Sequence, residues 1–305
     1  MGRSGLKKVV VTGGTGLVGR RLVEVLADQG TQVAVVSRNP ARATPPKGAE
    51  TYLWKELPAL LEGADAIFNL AGEGIADQRW SPERKAAILL SRTASTRRIV
   101  EALQWVSRQP SVLVNASAIG FYGAHGLTLL DEAAGPGEGF LAKVCQAWEQ
   151  EAEAVMAKGI RLVKLRLGVV LAKEGGALPK MARPVKLFLG CTLGSGQQGF
   201  SWIHLEDLIR LCLEAAQNPN YAGAINATSP TPISQRVFMG ILARRLHRPL
   251  WPLPAALTRL SLKWLMGEMA EPMLLQGAYV YPKKALGLGF QFNFGEAEAA
   301  LADLL

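Results

Sequence analysis

One stretch near the N-terminus decides the fold: Lys8-Val9-Val10-Val11-Thr12-Gly13-Gly14-Thr15-Gly16-Leu17-Val18-Gly19-Arg20-Arg21-Leu22. The β-branched run before the glycines predicts a buried parallel strand. Apolar side chains at helical spacing after the glycines predict a helix that ends near Gly30. A strand, a glycine turn and a helix in this order are typical of a dinucleotide site, because the turn brings the chain close to a pyrophosphate at the helix N-terminus.

Each glycine of this turn has a predicted role. Gly13 permits a tight turn, Gly16 lets the backbone approach the pyrophosphate, and Gly19 lets the helix pack on the strand. A glycine-rich turn of another kind of α/β protein is the alternative, but the flanking strand and helix favour the dinucleotide site. The predicted phosphate-binding residues are Gly13, Thr15, Gly16, Leu17, Val18 and Gly19.

The second predicted strand indicates which dinucleotide binds. It covers residues 32–38, and its end lies about 20 residues beyond the glycines, beside the adenosine ribose of such folds. NAD enzymes place an acid there, whereas this chain has Ser37 and Arg38. An arginine suits a 2′-phosphate, with Arg42 as a second contact. An ordinary surface arginine is the alternative, but the missing acid favours NADP over NAD.

Composition limits the class of protein. The chain has 305 residues, 49% hydrophobic and 19% charged, which is typical of a globular protein. No apolar run reaches the roughly 20 residues that span a bilayer, and the short N-terminus leaves no room for a signal peptide. Three widely spaced cysteines suit a reducing cytosol, and three histidines argue against a metal site. We therefore expect a cytoplasmic protein without a metal.

The net charge of +9 raises the question of nucleic acid. The basic residues are scattered, and no basic stripe is interleaved with aromatic residues. A solvated basic surface with a few phosphate-binding arginines is the favoured interpretation. We expect a small-molecule substrate, no nucleic acid and no membrane partner; the sequence leaves a homo-oligomer open.

Strands and helices alternate along most of the chain, which predicts an α/β fold: a Rossmann-like doubly wound parallel sheet with a smaller C-terminal substrate lobe. Further strands are predicted at residues 64–73, 111–118, 160–171 and 224–227. The alternation stops near Gly175. The predicted NADP-binding domain covers residues 1–171 and 201–228, and the lobe covers 172–200 and 229–305.

Taken together, the motifs resemble the extended short-chain dehydrogenase/reductases, and most of all their epimerase-like, NADP-binding atypical branch. The motifs that carry the resemblance are Thr12–Gly19, Ser37-Arg38, Asn69–Glu73, Arg79-Trp80, Ser91-Arg92, Ser117–Gly123, Gly168–Leu171, Gly194–Gly196, Trp202–His204 with Asp207, Pro282 and Gly289-Phe290. The resemblance implies NADP across the carboxyl edge of the sheet, with Arg38 on the 2′-phosphate. It further implies cofactor contacts from Leu70, Ala71, Gly72, Glu73, Arg92, Val169 and Val170.

The catalytic triad of that superfamily is incomplete here. The resemblance implies a tyrosine that exchanges a proton, a lysine four residues later that holds the ribose, and a serine that binds substrate oxygen. Lys143 lies in the corresponding helix, but Gly139 stands where the tyrosine is expected, and Phe140 has no hydroxyl. Ser117 lies one residue farther from Tyr122 than in the usual pattern.

Two functions remain open at this stage. In the first, the chain is an NADP(H)-binding oxidoreductase or epimerase of a small polar substrate such as a nucleotide sugar. Tyr122 would then be the acid–base group, with its hydroxyl in the cleft, Ser117 would orient the substrate, and Lys143 would hold the ribose; Glu73 and His204 are weaker acid–base candidates. In the second, the chain binds NADP(H) as a sensor or scaffold without efficient catalysis.

Overall fold

The computed structural model describes residues 5–40 and 45–305, so Arg42 lies outside the described residues. Within them the strands are β1 (Lys8–Thr12), β2 (Gln32–Ser37), β3 (Ala49–Leu53), β4 (Ala66–Asn69), β5 (Val112–Ala118), β6 (Leu129–Leu130), β7 (Arg161–Leu167), β8 (Val169–Leu171), β9 (Gly199–Phe200), β10 (Trp202–His204), β11 (Gly223–Ala227), β12 (Ile233–Ser234) and β13 (Tyr279–Val280). The α-helices are α1 (Leu17–Asp28), α2 (Leu57–Leu61), α3 (Pro82–Ala102), α4 (Phe140–Glu153), α5 (Leu178–Lys186), α6 (Leu205–Gln217), α7 (Gln235–Arg245), α8 (Ala255–Met266), α9 (Lys283–Gly287) and α10 (Ala297–Leu304).

Seven parallel strands form the central sheet in the order β11-β7-β5-β4-β1-β2-β3. The order reverses direction between β1 and β4, which is the switch point where ligands bind in doubly wound sheets. The Rossmann-like sheet predicted from the sequence is confirmed.

Both faces of the sheet are covered by helices, as the continuous apolar strands require. Val9 and Val11 of β1 point to one face, where they pack with helices α1 and α6. Val10 points to the other face, toward α2, α3 and the end of α4. Successive strand residues alternate between faces, so β1 supplies both cores at once.

A separate core holds much of the C-terminal lobe together. Apolar residues of α5, α7 and α10, including Phe238, Leu242 and Leu301, pack around Trp202. The residues that follow β13 return to the sheet instead, since Ala285 and Phe290 belong to the core that contains β1. None of the helices in the described chain is long and apolar enough to cross a membrane.

The strand predicted at residues 160–171 is two strands, β7 and β8, separated by Gly168. The Gly168 amide donates to the Ala227 carbonyl at 2.9 Å and so still binds the edge of the sheet. A Cβ atom at Gly168 would lie 2.8 Å from the Ser201 carbonyl oxygen, so this approach requires glycine. Beyond it, β8 leaves the sheet and pairs with β10.

Candidate dinucleotide-binding site

Two of the three turn glycines are required by the packing of the turn itself. Gly13 has φ +73°, and a Cβ atom on it would lie 2.5 Å from the Leu70 carbonyl oxygen. A Cβ atom on Gly19 would lie 2.2 Å from the Gly13 carbonyl oxygen. At Gly13 the backbone of the turn therefore contacts the backbone that follows β4, and at Gly19 the backbone of α1 contacts that of the turn.

Gly16 has a different environment. A Cβ atom there would have one neighbour within 4 Å, the Gly13 carbonyl oxygen at 3.4 Å, which is an ordinary contact. Gly16 is also the N-cap of α1, and no side chain of the described residues caps this helix start. The first amides of α1 and the exposed face of Gly16 thus form an open cradle that a larger side chain would fill, and helix N-termini of this kind favour anions.

Several other predicted cofactor residues lie around this cradle. The Leu70 amide donates to the Thr12 carbonyl at 3.0 Å, which places the chain after β4 beside the turn. A Cβ atom on Gly176 would lie 2.9 Å from Leu17 Cδ2 and 3.3 Å from the Val170 carbonyl oxygen. The start of α1, the end of β8 and the following loop therefore converge at the carboxyl edge of the sheet.

Arg38 follows β2 and is largely exposed, with 79% of its side chain accessible. Its Nη1 atom lies 3.2 Å from a Glu73 carboxylate oxygen, and Arg84 Nη1 lies 2.5 Å from the other oxygen. These hydrogen bonds, Arg38 first and then Arg84, lower the pKa of Glu73 below its ordinary value. The trio therefore keeps a net positive charge, and Glu73 pairs with two arginines rather than serving as a free acid–base group.

Arg92 lies below the chain that follows β4. Its guanidinium carbon is 5.2 Å from the Trp148 ring centroid and would lie 3.1 Å from a Cβ atom on Gly72. Nη1 donates to the Ile88 carbonyl at 3.0 Å, and burial lowers the pKa of the guanidinium. Arg92 therefore lies against the loop after β4, and its contact with a cofactor stays a prediction; sequence reasoning did not identify Arg84.

A buried polar network occupies the end of β5, where catalysis was predicted. Ser117 is 1% exposed, and its hydroxyl donates to Glu149 Oε1 at 2.7 Å. Arg166 of β7 donates from Nε and Nη2 to the two Glu149 oxygens at 2.9 and 3.0 Å. Burial alone would raise the pKa of Glu149, but the hydrogen bonds and charge of Arg166 outweigh it and lower that pKa. Ser117 is thus hydrogen-bonded to a buried ion pair and leaves almost none of its surface accessible, unlike the substrate-orienting position predicted for it.

Tyr122 is fully buried, so the expectation that its hydroxyl points into the cleft is wrong. The hydroxyl donates to Asn226 Oδ1 at 2.7 Å and accepts from Arg166 Nη1 at 3.0 Å. Burial raises the pKa of the phenol, although the Arg166 charge opposes the shift. The loop after β5 turns the ring into the core with Leu130 and Val280, and the sequence pattern did not show this inward rotation.

Lys143 is exposed on α4 and does not contact Ser117 or Tyr122, so the three predicted catalytic residues do not form one cluster; its predicted contact with the ribose stays a prediction. Residues two apart on a helix point in nearly opposite directions, and Cys145 is the buried one. A Cβ atom on Gly120 would lie 3.2 Å from Leu141 Cβ and 3.8 Å from Cys145 Sγ. Burial raises the pKa of the Cys145 thiol to about 11. The side of α4 that faces the end of β5 therefore presents an apolar leucine and an inert thiol.

His204 has a structural role. Its Nδ1 atom accepts from the Glu206 amide at 3.2 Å and caps α6, while its ring stacks on Phe294 at 3.9 Å. Burial lowers the pKa of the imidazole, although nearby Asp303 and Asp207 oppose the shift. Within residues 5–40 and 45–305, no group of His, Cys, Asp and Glu side chains could hold a metal ion.

The buried position of Tyr122 leads to a prediction about stability. Tyr122→Phe removes the partner of Arg166 Nη1 and of Asn226 Oδ1, and an unpaired buried polar group costs about 1–3 kcal/mol. We expect urea denaturation to show a loss in that range, with NADPH affinity unchanged. If Tyr122→Phe were as stable as the wild type but had lost turnover, that result would instead support the catalytic role of Tyr122.

The fold and the site define a Rossmann-type dinucleotide-binding protein with an additional C-terminal lobe. The chain belongs to the NAD dependent epimerase/dehydratase family, whose model matches residues 9–227; a domain of unknown function, DUF1731, matches residues 257–304. Family membership confirms the extended short-chain dehydrogenase/reductase resemblance seen in the sequence.

Relatives match the chain over nearly its whole length. It is 40% identical to the chloroplastic epimerase family protein SDR39U1 homolog of Arabidopsis thaliana, covering 97% of this chain and 86% of that protein. It is 38% identical to epimerase family protein YfhF of Bacillus subtilis, covering 97% of each. The crystal structure of human epimerase family protein SDR39U1 (isoform 2) with NADPH superposes with a TM-score of 0.86 at 32% identity, covering 97% of this chain and 98% of that one.

Proposed function

We propose that this chain binds NADP(H) across the carboxyl edge of its sheet and acts as an oxidoreductase or epimerase on a small polar substrate, with a nucleotide sugar as the expected class. The observation that carries the proposal is the open cradle at Gly16, where backbone amides and the start of α1 face space that a Cβ atom would enter. The human relative that was crystallised with NADPH supports the choice of cofactor.

The proposed cofactor contacts follow from the placement of these residues. The turn and the start of α1 would hold the pyrophosphate, and Arg38 would bind the 2′-phosphate. The remaining contacts would come from Ser37, Leu70, Ala71, Gly72, Glu73, Arg92 and Val170. When bound, NADP would supply a hydride acceptor or donor, and this chain's residues would position it.

A specific observation favours a second candidate function. Leu141 and Cys145 face the end of β5, Tyr122 is buried, and Lys143 is exposed, so the described residues place no phenol–lysine pair there. The second candidate is therefore an NADP(H)-binding sensor or scaffold that does not turn over efficiently.

One experiment separates the two candidate functions. The purified protein is incubated with NADPH or NADP⁺ and a panel of nucleotide sugars, and both cofactor oxidation state and sugar epimerisation are followed. Turnover above the background of a Gly16→Val variant supports the enzyme. Tight NADPH binding without turnover across the panel supports the sensor or scaffold, and a failure to bind NADPH contradicts both.

Cofactor preference gives a prediction for Arg38. A charge-assisted hydrogen bond to phosphate is worth about 1.5–3 kcal/mol, so Arg38→Ala should reduce the preference for NADPH over NADH at least tenfold. Binding of both cofactors is measured by isothermal titration. Arg97→Ala is the matched control, because Arg97 is an exposed arginine on α3 that pairs with Glu151. Equal affinities for NADPH and NADH in the wild type would contradict the assignment.

A further inference from the structure

The net positive charge of the chain arises in its C-terminal half, where two long stretches lack acidic residues. Residues 175–205 and 215–267 contain nine Lys and Arg residues and no Asp or Glu. The rest of the chain contains 25 of each charge sign, so these two stretches account for the whole net charge of +9. The basic residues are scattered, as predicted from the sequence, and the excess charge is local because acidic residues are missing from these two stretches.

Exposed apolar side chains lie within the same two stretches. Leu187, Phe188 and Leu189, which follow α5, are 61%, 54% and 68% exposed, and Trp251 and Leu253 are 49% and 44% exposed. Trp251 joins the two segments, because its indole Nε1 donates to the Phe188 carbonyl at 2.8 Å and its amide donates to the Gly190 carbonyl at 2.9 Å. We call these five residues the apolar tip.

Phe188 is in a backbone conformation that a bulky residue rarely adopts. Its φ is +63°, in the left-handed region that favours glycine, and its aromatic ring is half exposed. Phe188 ends α5 in a common way: its amide donates to the Val185 carbonyl at 3.0 Å, and the Leu189 amide donates to the Pro184 carbonyl at 2.8 Å. Glycine is the usual residue at this position, and the half-exposed ring leaves an apolar surface free for contact with another molecule.

Cations lie beside the apolar tip. Arg183 and Lys186 lie in the last turn of α5, immediately before it. Arg244 and Arg245 lie in the last turn of α7, shortly before Arg248 in the chain, and Arg244 pairs with Glu298 at 3.6 Å. The Arg248 guanidinium lies 4.5 Å from the Phe188 ring centroid. Cations at helix C-termini offset the helix dipole, but Arg248 is outside both helices and against the tip itself.

We propose that the apolar tip docks on an anionic membrane surface. Leucine, phenylalanine and tryptophan side chains insert at the boundary between headgroups and acyl chains, and lysine and arginine beside them are attracted to anionic lipids. A nucleic acid would bind the cations through its phosphates, but it would leave the leucines of the apolar tip exposed to water. This peripheral docking revises the expectation of no membrane partner and is independent of the proposed NADP(H) chemistry.

Co-sedimentation with vesicles tests the proposal. The full chain is mixed with vesicles of phosphatidylcholine alone or of phosphatidylcholine with 30% phosphatidylglycerol, at 0.1 M and 1 M salt. We expect binding to the anionic vesicles at 0.1 M salt, a steep loss at 1 M where charges are screened within about 3 Å, and little binding to the neutral vesicles.

Two variants and a control identify the surface. Phe188→Gly removes the ring and relieves the positive φ, so the fold is retained while vesicle affinity falls more than tenfold. Arg248→Gln should weaken binding to anionic vesicles about fivefold. The control is Trp105→Ser, which removes an 80% exposed tryptophan outside the basic stretches and should change nothing.

The same measurements can overturn the proposal. Equal binding to neutral and anionic vesicles would exclude the apolar tip as a surface for anionic membranes. Unchanged binding of Phe188→Gly with an intact melting transition would exclude it as the docking surface. Absence of vesicle binding would overturn the proposal outright. If the chain then bound duplex DNA or a polyglutamate peptide with the same dependence on Arg248, the basic surface would serve another polyanion.

Discussion

Gly16→Val should abolish NADP(H) binding and leave the fold intact. The valine side chain would extend from the open face of Gly16 into the space in front of the first amides of α1. A pyrophosphate that loses two charge-assisted hydrogen bonds there would lose about 3–6 kcal/mol of binding free energy, which corresponds to a hundredfold or greater fall in affinity. Isothermal titration with NADPH measures the affinity, and a thermal melt without cofactor measures the fold.

Gly13→Val provides the contrast. A Cβ atom on Gly13 would lie 2.5 Å from the Leu70 carbonyl oxygen, and its φ of +73° is unfavourable for valine. Although the sequence places this glycine in a loop and predicts that the fold survives, the structure indicates that Gly13→Val destabilises the protein itself.

Gly135→Val is the matched control, because a Cβ atom on Gly135 would have no neighbour within 4 Å and the site is far along the chain. It should change neither the melt nor the affinity for NADPH. Normal NADPH binding by Gly16→Val would show that the dinucleotide lies elsewhere.

The sequence predicts the strands and helices of the central sheet well because these elements depend on local patterns. The run Val9–Val11, the three glycines and the apolar helix after them determine the first strand, turn and helix within about 20 residues. The position of Arg38 at the end of β2 could be predicted for the same reason, since it follows from the number of residues between the glycines and this arginine.

Contacts between distant segments explain what the sequence did not predict. Glu73 meets Arg38 only because the loops after β2 and β4 lie side by side, and it meets Arg84 because the first turn of α3 returns to the loop after β4. The inward rotation of Tyr122 depends on Arg166, which is 44 residues away. Arg166 between Leu165 and Leu167 in β7 was visible in the sequence and could have indicated a buried ion pair.

That ion pair leads to the largest expected change in stability. Arg166→Met would leave Glu149 buried without the two hydrogen bonds that Arg166 donates, since both side chains are about 5% exposed. Removing one partner of a buried ion pair costs about 3–5 kcal/mol, because the remaining charge is uncompensated. Urea denaturation at pH 7 should show a loss toward the lower end of this range, because Lys164, 3.3 Å from Glu149, still compensates part of the charge.

The pH dependence of that loss shows whether the charge of Glu149 is its cause. In the wild type the pKa of Glu149 is lowered, so its stabilisation is present above the unfolded pKa of about 4.3 and is lost as pH falls through the folded value. In Arg166→Met, burial would dominate and raise that pKa, so stability would fall as pH rises. The difference between the two proteins should therefore be greatest near pH 7 and shrink toward pH 4. Arg108→Met, which breaks the exposed pair with Glu62, should leave the urea midpoint almost unchanged. A deficit for Arg166→Met that stays constant on acidification would mean that lost packing, rather than an uncompensated carboxylate, destabilises the variant.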